Sequence, residues 1–142
     1  MNKHSKVKKF HEIYKCNIGS LPMLPSKDER DLRISLLDEE FNEYLVAESK
    51  NDIVEISDAL GDMLYIIYGT AISYGIPINE IFNEIHDSNL SKLDISGNPI
   101  LRDDGKILKG PNYFKPDIKK ILEEKEWVPE IKVMNILDWI IS

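Results

Sequence analysis

Cysteine is almost missing. Cys16 is the single one in 142 residues, so no disulfide can close within the chain and no thiolate cluster can hold a metal. Histidine is scarce as well, with only His4, His11 and His86; the residues three before them are Met1, Lys8 and Asn83. The Glu-x-x-His pairs of ferritin-like di-iron bundles are therefore absent. Strand-like alternation is nowhere sustained, and there is no repeat or low-complexity segment. A membrane-length apolar run is lacking too. Met63 to Asn79 carries no charge, but it is 17 residues long and broken by Gly69, Gly75 and Pro77, so it is expected to be buried core. The start, MNKHSKVKKF, is basic without the apolar run of a signal peptide. A reduced, cytoplasmic setting and no membrane partner are expected. Positive charge is in deficit: the formal balance is −7, which argues against a nucleic-acid partner.

What the chain does have is helical periodicity with clear punctuation. Its 42% hydrophobic and 30% charged residues suit one soluble domain able to bury a core. Val7, Phe10, Ile13 and Tyr14 mark a short amphipathic helix, followed by the loop NIGSLPMLP. Ser26-Lys-Asp-Glu29 has the form of a capping box and opens a long helix to about Ser49. Asn51 and Asp52 can cap the next, from Ile53 to about Tyr74, whose circumference is mostly apolar and calls for other helices or a second subunit around it. A fourth begins at Asn79, a long loop spans Asp94 to Pro116, and Pro116-Asp117 opens a fifth through Leu122. The stretch WVPEIKVMNILDWIIS reads as a short terminal helix able to dock on the core or on a partner. The expected fold is all-α, an antiparallel helical bundle completed by oligomerisation. Residues 1–122, including loop 94–116, form the domain and 123–142 a C-terminal helical extension.

The acids are concentrated and out of place. From Ser26 to Asp62 there are 12 acids against four bases, while the remainder is nearly neutral. Within LLDEEFNEYL, residues 36–45, a turn of 100° per residue sets Glu40 near the middle of the apolar face and Glu43 at its edge. On the next helix, Glu55, Asp58 and Asp62 share a face with Ala59, Ile66, Gly69 and Ser73, which leave room beside them. The short connection from Ser49 to Asp52 makes the two helices antiparallel neighbours. Asp38, Glu48 and Asp52 read as solvated, and Glu39 is intermediate.

Burying a charge costs several kcal/mol, against a domain stability of about 5–15 kcal/mol. Arg33 can neutralise one of these acids but not all. Hard divalent cations take oxygen ligands, and Mg²⁺ works through carboxylates, waters and phosphates, so a Mg²⁺ site, with Mn²⁺ as a substitute, is the economical answer.

Glu39-Glu40-Phe-Asn-Glu43 followed by Glu55-Ile-Ser-Asp58 resembles the EExxE…ExxD pattern of the all-α nucleoside triphosphate pyrophosphohydrolases. DALGDMLYIIYGTAISYGI, HDSNLSKLD and GNPILRDDGKILKGPNYFKPDIKKIL extend the likeness, over about residues 8 to 122, toward their MazG-like, phosphoribosyl-ATP pyrophosphohydrolase-like branch. The resemblance implies a Mg²⁺-dependent dimer or tetramer that cleaves a (deoxy)nucleoside triphosphate to monophosphate and pyrophosphate, as in nucleotide-pool cleansing. It implies Glu40, Glu43, Glu55 and Asp58 as metal ligands. In many members the last Asp directly precedes the apolar run, a place held here by Asp62, so either Glu55/Asp58 or Asp58/Asp62 is the operative pair. Glu39 or Glu43 is the candidate for deprotonating the attacking water. Lys92, Lys106 and Lys109 are candidates for the outer phosphates, Asn89 for the base, and His86 and Tyr113 for packing or substrate contact. His11 and Phe10 are candidates for the base pocket, with core packing the alternative role of Phe10. The alternatives are a non-catalytic nucleotide- or metal-binding regulatory module and a phosphoribosyl-ATP pyrophosphohydrolase.

Overall fold

A computed structural model describes residues 1–129 of the chain. Five helices follow in order: α1 (Lys3–Tyr14), α2 (Lys27–Ser49), α3 (Ile53–Tyr74), α4 (Ile78–Leu90) and α5 (Ile118–Glu124). No strand forms among the described residues. The expected boundaries hold closely, and the caps say why. Asn2 accepts from the Ser5 N–H, Ser26 from the Glu29 N–H, Asp52 from those of Val54 and Glu55, and Asp117 from that of Lys120. Helix α4 begins after Pro77 with no side-chain cap, one residue ahead of the Asn79 expected to start it.

The capping box at the start of α2 is only half made. Ser26 caps as expected, but the Glu29 carboxylate accepts from the Ser73 hydroxyl on α3 at 2.9 Å. A tertiary partner has taken the side chain that a local motif would have used.

Helices α2 and α3 pack along their lengths, with α1 against α3 and α4 against α5. The partners on α2 and α3 run in opposite senses: Glu29 meets Ser73, Arg33 meets Thr70 and Ile66, and Glu40 and Glu43 meet Asp62. The pair is antiparallel, as the short connection implies. Small buried residues, Ala47 on α2 with Ala59 and Ala71 on α3, contribute to this core.

The segment between α1 and α2 is strapped over the C-terminal end of α3. The Gly19 N–H donates to Ile72 O at 2.8 Å and the Met23 N–H to Tyr74 O at 3.0 Å, while Asn17 Nδ2 reaches Ser73 O and Oγ. A Cβ on Gly19 would lie 2.5 Å from Gly75 N, a backbone atom that cannot move aside. Gly75 itself sits at φ +68, where the left-handed conformation ends α3.

One expectation is corrected. Loop 94–116 is not simply irregular: Leu101 and Ile107 form an antiparallel bridge around a turn at Asp103-Asp-Gly105, where Gly105 has φ +89. Within the single chain the apolar stretch of α3 is covered only in part. Leu64, Tyr65 and Ile67 are each more than 40% exposed, and Ile53 and Val54 about 70%. The single chain has too few helices to cover a helix that is apolar nearly all round. The terminal helix expected in residues 127–142 falls almost entirely outside the described residues.

The strap makes a stability prediction. Gly19→Ala should lower unfolding free energy by about 1–3 kcal/mol, read as a lower urea midpoint with unchanged helical circular dichroism in the folded baseline.

Candidate metal centre and adjoining pocket

Glu40 and Glu43 lie three apart on α2, so both fall on the face turned to α3. Antiparallel packing brings Asp62 opposite them. One carboxylate oxygen from each of Glu40, Glu43 and Asp62 lies within 4.8 Å of the others. Glu43 is exposed and the other two are half-buried. Glu40 Oε2 is enclosed and has no hydrogen-bond partner.

The titration behaviour follows from this crowding. Loss of solvent is the first reason that the Glu40 carboxyl is pushed up from 4.5 to about 7; the facing Glu43 carboxylate comes next, and the charges of Asp62 and Asp58 add to it. Asp62 is also raised, by desolvation first and then by Asp58 and Glu43. Like charges held together, with one oxygen enclosed and unpartnered, are what an oxygen-seeking divalent cation would relieve. The donor set is all carboxylate, and it fits Mg²⁺ or Mn²⁺ better than a thiolate- or imidazole-seeking metal.

The other expected acids divide. Asp58, one turn before Asp62, is exposed but near enough to raise both Glu40 and Asp62. Glu55 lies outside the group of three but shares with Glu43 an open cleft of about 610 Å³, lined also by Asn42 and Lys50. Glu39 is exposed and away from the group. Arg33 does not neutralise the acids. Its side chain turns to α3, with Nε donating to Thr70 Oγ1 at 3.1 Å and Nη2 to Ile66 O at 3.0 Å. Spacing along α2 put Arg33 near the acids, but it had no means of choosing between two neighbours of that helix.

A cavity of about 490 Å³ adjoins the group along the same helix pair. Leu36 in its wall stands four residues before Glu40, and Tyr65 and Ile66 follow Asp62 by three and four, so about one helical turn separates the two places. Phe10 and Tyr65 meet edge to face, ring centres 5.6 Å apart, and give the cavity an aromatic wall. His11 is buried beside it, its Nδ1 2.8 Å from Asn17 O. A carbonyl only accepts, so Nδ1 donates, and in the neutral ring Nε2 is left as an acceptor. His11 and Phe10 thus both line this cavity.

Asn89, Lys92, Lys106, Lys109 and Tyr113 belong to α4 and the following loop. Asn89, Lys106 and Lys109 are exposed, Lys92 and Tyr113 half-buried, and Lys109 Nζ lies 4.7 Å from the Tyr113 ring centre. Among the described residues, this loop bonds back only to α4, through Ser88, Ser91 and Glu84, and not to the acid-bearing turns. The structure of one chain does not bring these residues together with the carboxylates. What reading the sequence missed is the cavity's polar set, Asn17, Glu29 and an inward Arg33, with the buried Ser73 hydroxyl bonded to the first two. Its one legible sign was Gly69, since a Cβ there would lie 2.5 Å from Arg33 Nη2 and 2.9 Å from His11 Nε2.

Comparison with known proteins bears on this arrangement. The family profile described as phosphoribosyl-ATP pyrophosphohydrolase matches residues 7–89, more than half of the chain, from within α1 through all of α2 and α3 and most of α4. The chain belongs to the phosphoribosyl-ATP pyrophosphohydrolase family. Its members by that name are hydrolases of acid anhydrides, and the all-helical fold is the one the resemblance implied. A relative, an uncharacterized protein of Acanthamoeba polyphaga mimivirus, is 31% identical over 96 residues, covering 66% of this chain and 35% of that protein. The chain thus matches about a third of that relative's length. A solved protein of Exiguobacterium sp. 255-15, provisionally described as an NTP pyrophosphohydrolase, is 22% identical over 95% of this chain and 97% of its own, with a TM-score of 0.46. In this family member, no described helix is long and apolar enough to cross a membrane.

The crowded carboxylates set a pH dependence for the metal-free protein. Between about 4.5 and about 7 the folded chain retains a Glu40 proton that the unfolded chain has released. Stability should therefore fall as pH rises through that window. Thermal unfolding in EDTA at pH 5 and pH 8 checks this: the midpoint should be lower at pH 8, and Glu40→Gln should narrow the difference.

Proposed function

We propose that the chain is a Mg²⁺-dependent nucleoside triphosphate pyrophosphohydrolase, with Mn²⁺ as a substitute. One observation carries the reading. An enclosed, unpartnered carboxylate oxygen in an acidic trio stands one helical turn from an aromatic cavity of nucleoside size. With the base in the cavity, the phosphates of a nucleotide extend along the α2–α3 groove toward Glu40, Glu43 and Asp62.

These three residues would hold the ion, with Asp58 beside them. Bound there, it neutralises phosphate charge and makes a water more acidic. The chain's own groups do the rest. Phe10 and Tyr65, set at right angles, pack one on the face and the other on the edge of the base, and the helix pair fixes the distance from base to anhydride. Glu43, the exposed member of the trio, takes a proton from the attacking water. The water oxygen bonds to phosphorus as the bridging P–O bond of the α–β anhydride breaks, releasing pyrophosphate and a monophosphate. Glu39 is the weaker candidate for the base because it stands off the group.

The family match favours a second substrate, phosphoribosyl-ATP, for the same bond cleavage. A screen of common ribo- and deoxyribonucleoside triphosphates together with phosphoribosyl-ATP, scored for pyrophosphate release, separates the two. Turnover of a triphosphate should require Mg²⁺ or Mn²⁺ and be abolished by EDTA. Glu40→Gln and Asp62→Asn should each cost more than the roughly 10–100-fold typical of outer-sphere partners, with helical content unchanged. No pyrophosphate from any of these substrates would defeat the reading.

Homo-oligomerisation belongs to the same proposal. Ile53, Val54 and Phe82 are about 70% exposed, and Leu60 and Leu64 more than 40%, an apolar area that a second copy would cover. A second copy would also give the lysines of the 94–116 loop a route to a neighbouring acidic trio. Light scattering should give at least twice the mass of one chain; a stable monomer at micromolar concentration would contradict it.

A further inference from the structure

A smaller cavity, of about 190 Å³, lies between the first half of α1 and the middle of α3. Val7, Leu64, Tyr65 and Tyr68 wall it, together with the exposed Lys3 and Lys6. No acid lines it, and neither lysine makes an ion pair among the described residues. Ligand pockets usually run to about 300–1,000 Å³, so this one suits a single large apolar side chain better than a nucleotide. Its walls stand open. Leu64 and Tyr65 are each 43% exposed, apolar surface that a covering group would take out of water.

One segment of the chain has the matching chemistry. Residues 130–142, EIKVMNILDWIIS, hold eight apolar residues among thirteen and one aromatic ring, Trp139. The described residues end close to the cavity. Tyr68 Oη donates to Asn79 Oδ1 at 3.3 Å, and Glu80, the next residue, pairs with Lys125 Nζ at 2.9 Å. Two side-chain contacts thus link the cavity wall to the place from which the segment departs. Pro129 follows Lys125 by four residues and precedes Trp139 by ten, which cover about 33 Å extended or about 15 Å as a helix. Either reach is enough.

We propose that residues 130–142 fold back onto their own domain and seat Trp139 in this cavity, against Tyr65 and beside Lys3 and Lys6. An indole offers its π face to ammonium groups that have no carboxylate there, and the lysine stems cover its edge. Tyr65 also lines the larger aromatic cavity, so the seated ring would back that cavity's wall. Ile53, Val54 and Leu60 stay available to a second copy. None of this requires the hydrolase reading.

Trp127 and Trp139 are the two tryptophans, so Trp127→Phe in the whole 142-residue chain leaves Trp139 as the reporter. Its emission should lie blue of that of N-acetyltryptophanamide, and acrylamide should quench it several-fold less. The difference spectrum between the wild type and Trp139→Phe should repeat this with Trp127 in place. Gly61 lines the same cavity, and a Cβ there meets nothing within 4 Å, so Gly61→Leu grows into the space that the indole would take. Leucine also suits a helix interior better than glycine, so α3 should survive the change. With Gly61→Leu added, Trp139 emission should move to the red and its quenching rise to that of the free amide, with helical circular dichroism unchanged. Dilution should alter neither result.

Water-exposed emission from Trp139 without the Gly61 change would overturn the proposal. Protected emission that Gly61→Leu leaves untouched would seat Trp139 elsewhere and overturn it too. Emission that turns red on dilution would give the cavity to a second copy's segment, which would also overturn it.

Discussion

Mutual repulsion among Glu40, Glu43 and Asp62 is the constraint on which the rest of this structure turns. Two helices that pack closely elsewhere through alanines and serines here press carboxylates together, and the inner oxygen of Glu40 is enclosed with no donor of the chain beside it. A chain under no other demand would place a leucine or a lysine there. The cost is tolerated where the site gains a cation, and the all-oxygen donor set restricts which cations qualify.

Everything that positions this trio also shapes the adjoining cavity. The antiparallel register that sets Asp62 against Glu40 sets Thr70 and Ile66 against Arg33, and Ser73 against Glu29. The strap through Asn17 and Gly19 clamps the far end of α3 and holds His11 and Phe10 at the cavity's edge. A shift of α3 by one turn would separate the acids and disrupt the cavity's polar wall at the same time. The acidic trio and the aromatic cavity are two stretches of one groove.

The helices were legible because their signals are local: Ser26, Asp52 and Asp117 cap where a cap is expected, and Gly75 ends α3 in the left-handed region. The acidic trio was legible because helical phase alone sets Glu40, Glu43 and Asp62 beside apolar positions. Side-chain choices between equivalent neighbours were not. By spacing alone Arg33 is a counter-charge to the acids on α2, yet it reaches α3, and Glu29 leaves its own capping box for Ser73. Those outcomes depend on interhelical register, which no single stretch of sequence encodes. The exposure of Ile53, Val54 and Leu64 was hidden for a related reason: an apolar helix states that it needs cover, not which chain supplies it.

Manganese binding followed by electron paramagnetic resonance tests the central claim most directly, since it needs neither substrate nor turnover. Titrated into metal-free protein, Mn²⁺ should lose its free-ion signal at a stoichiometric site, compete with Mg²⁺, and recover that signal when Glu40 or Asp62 is made its amide. An undiminished free-ion signal with the wild-type protein at neutral pH would contradict the account.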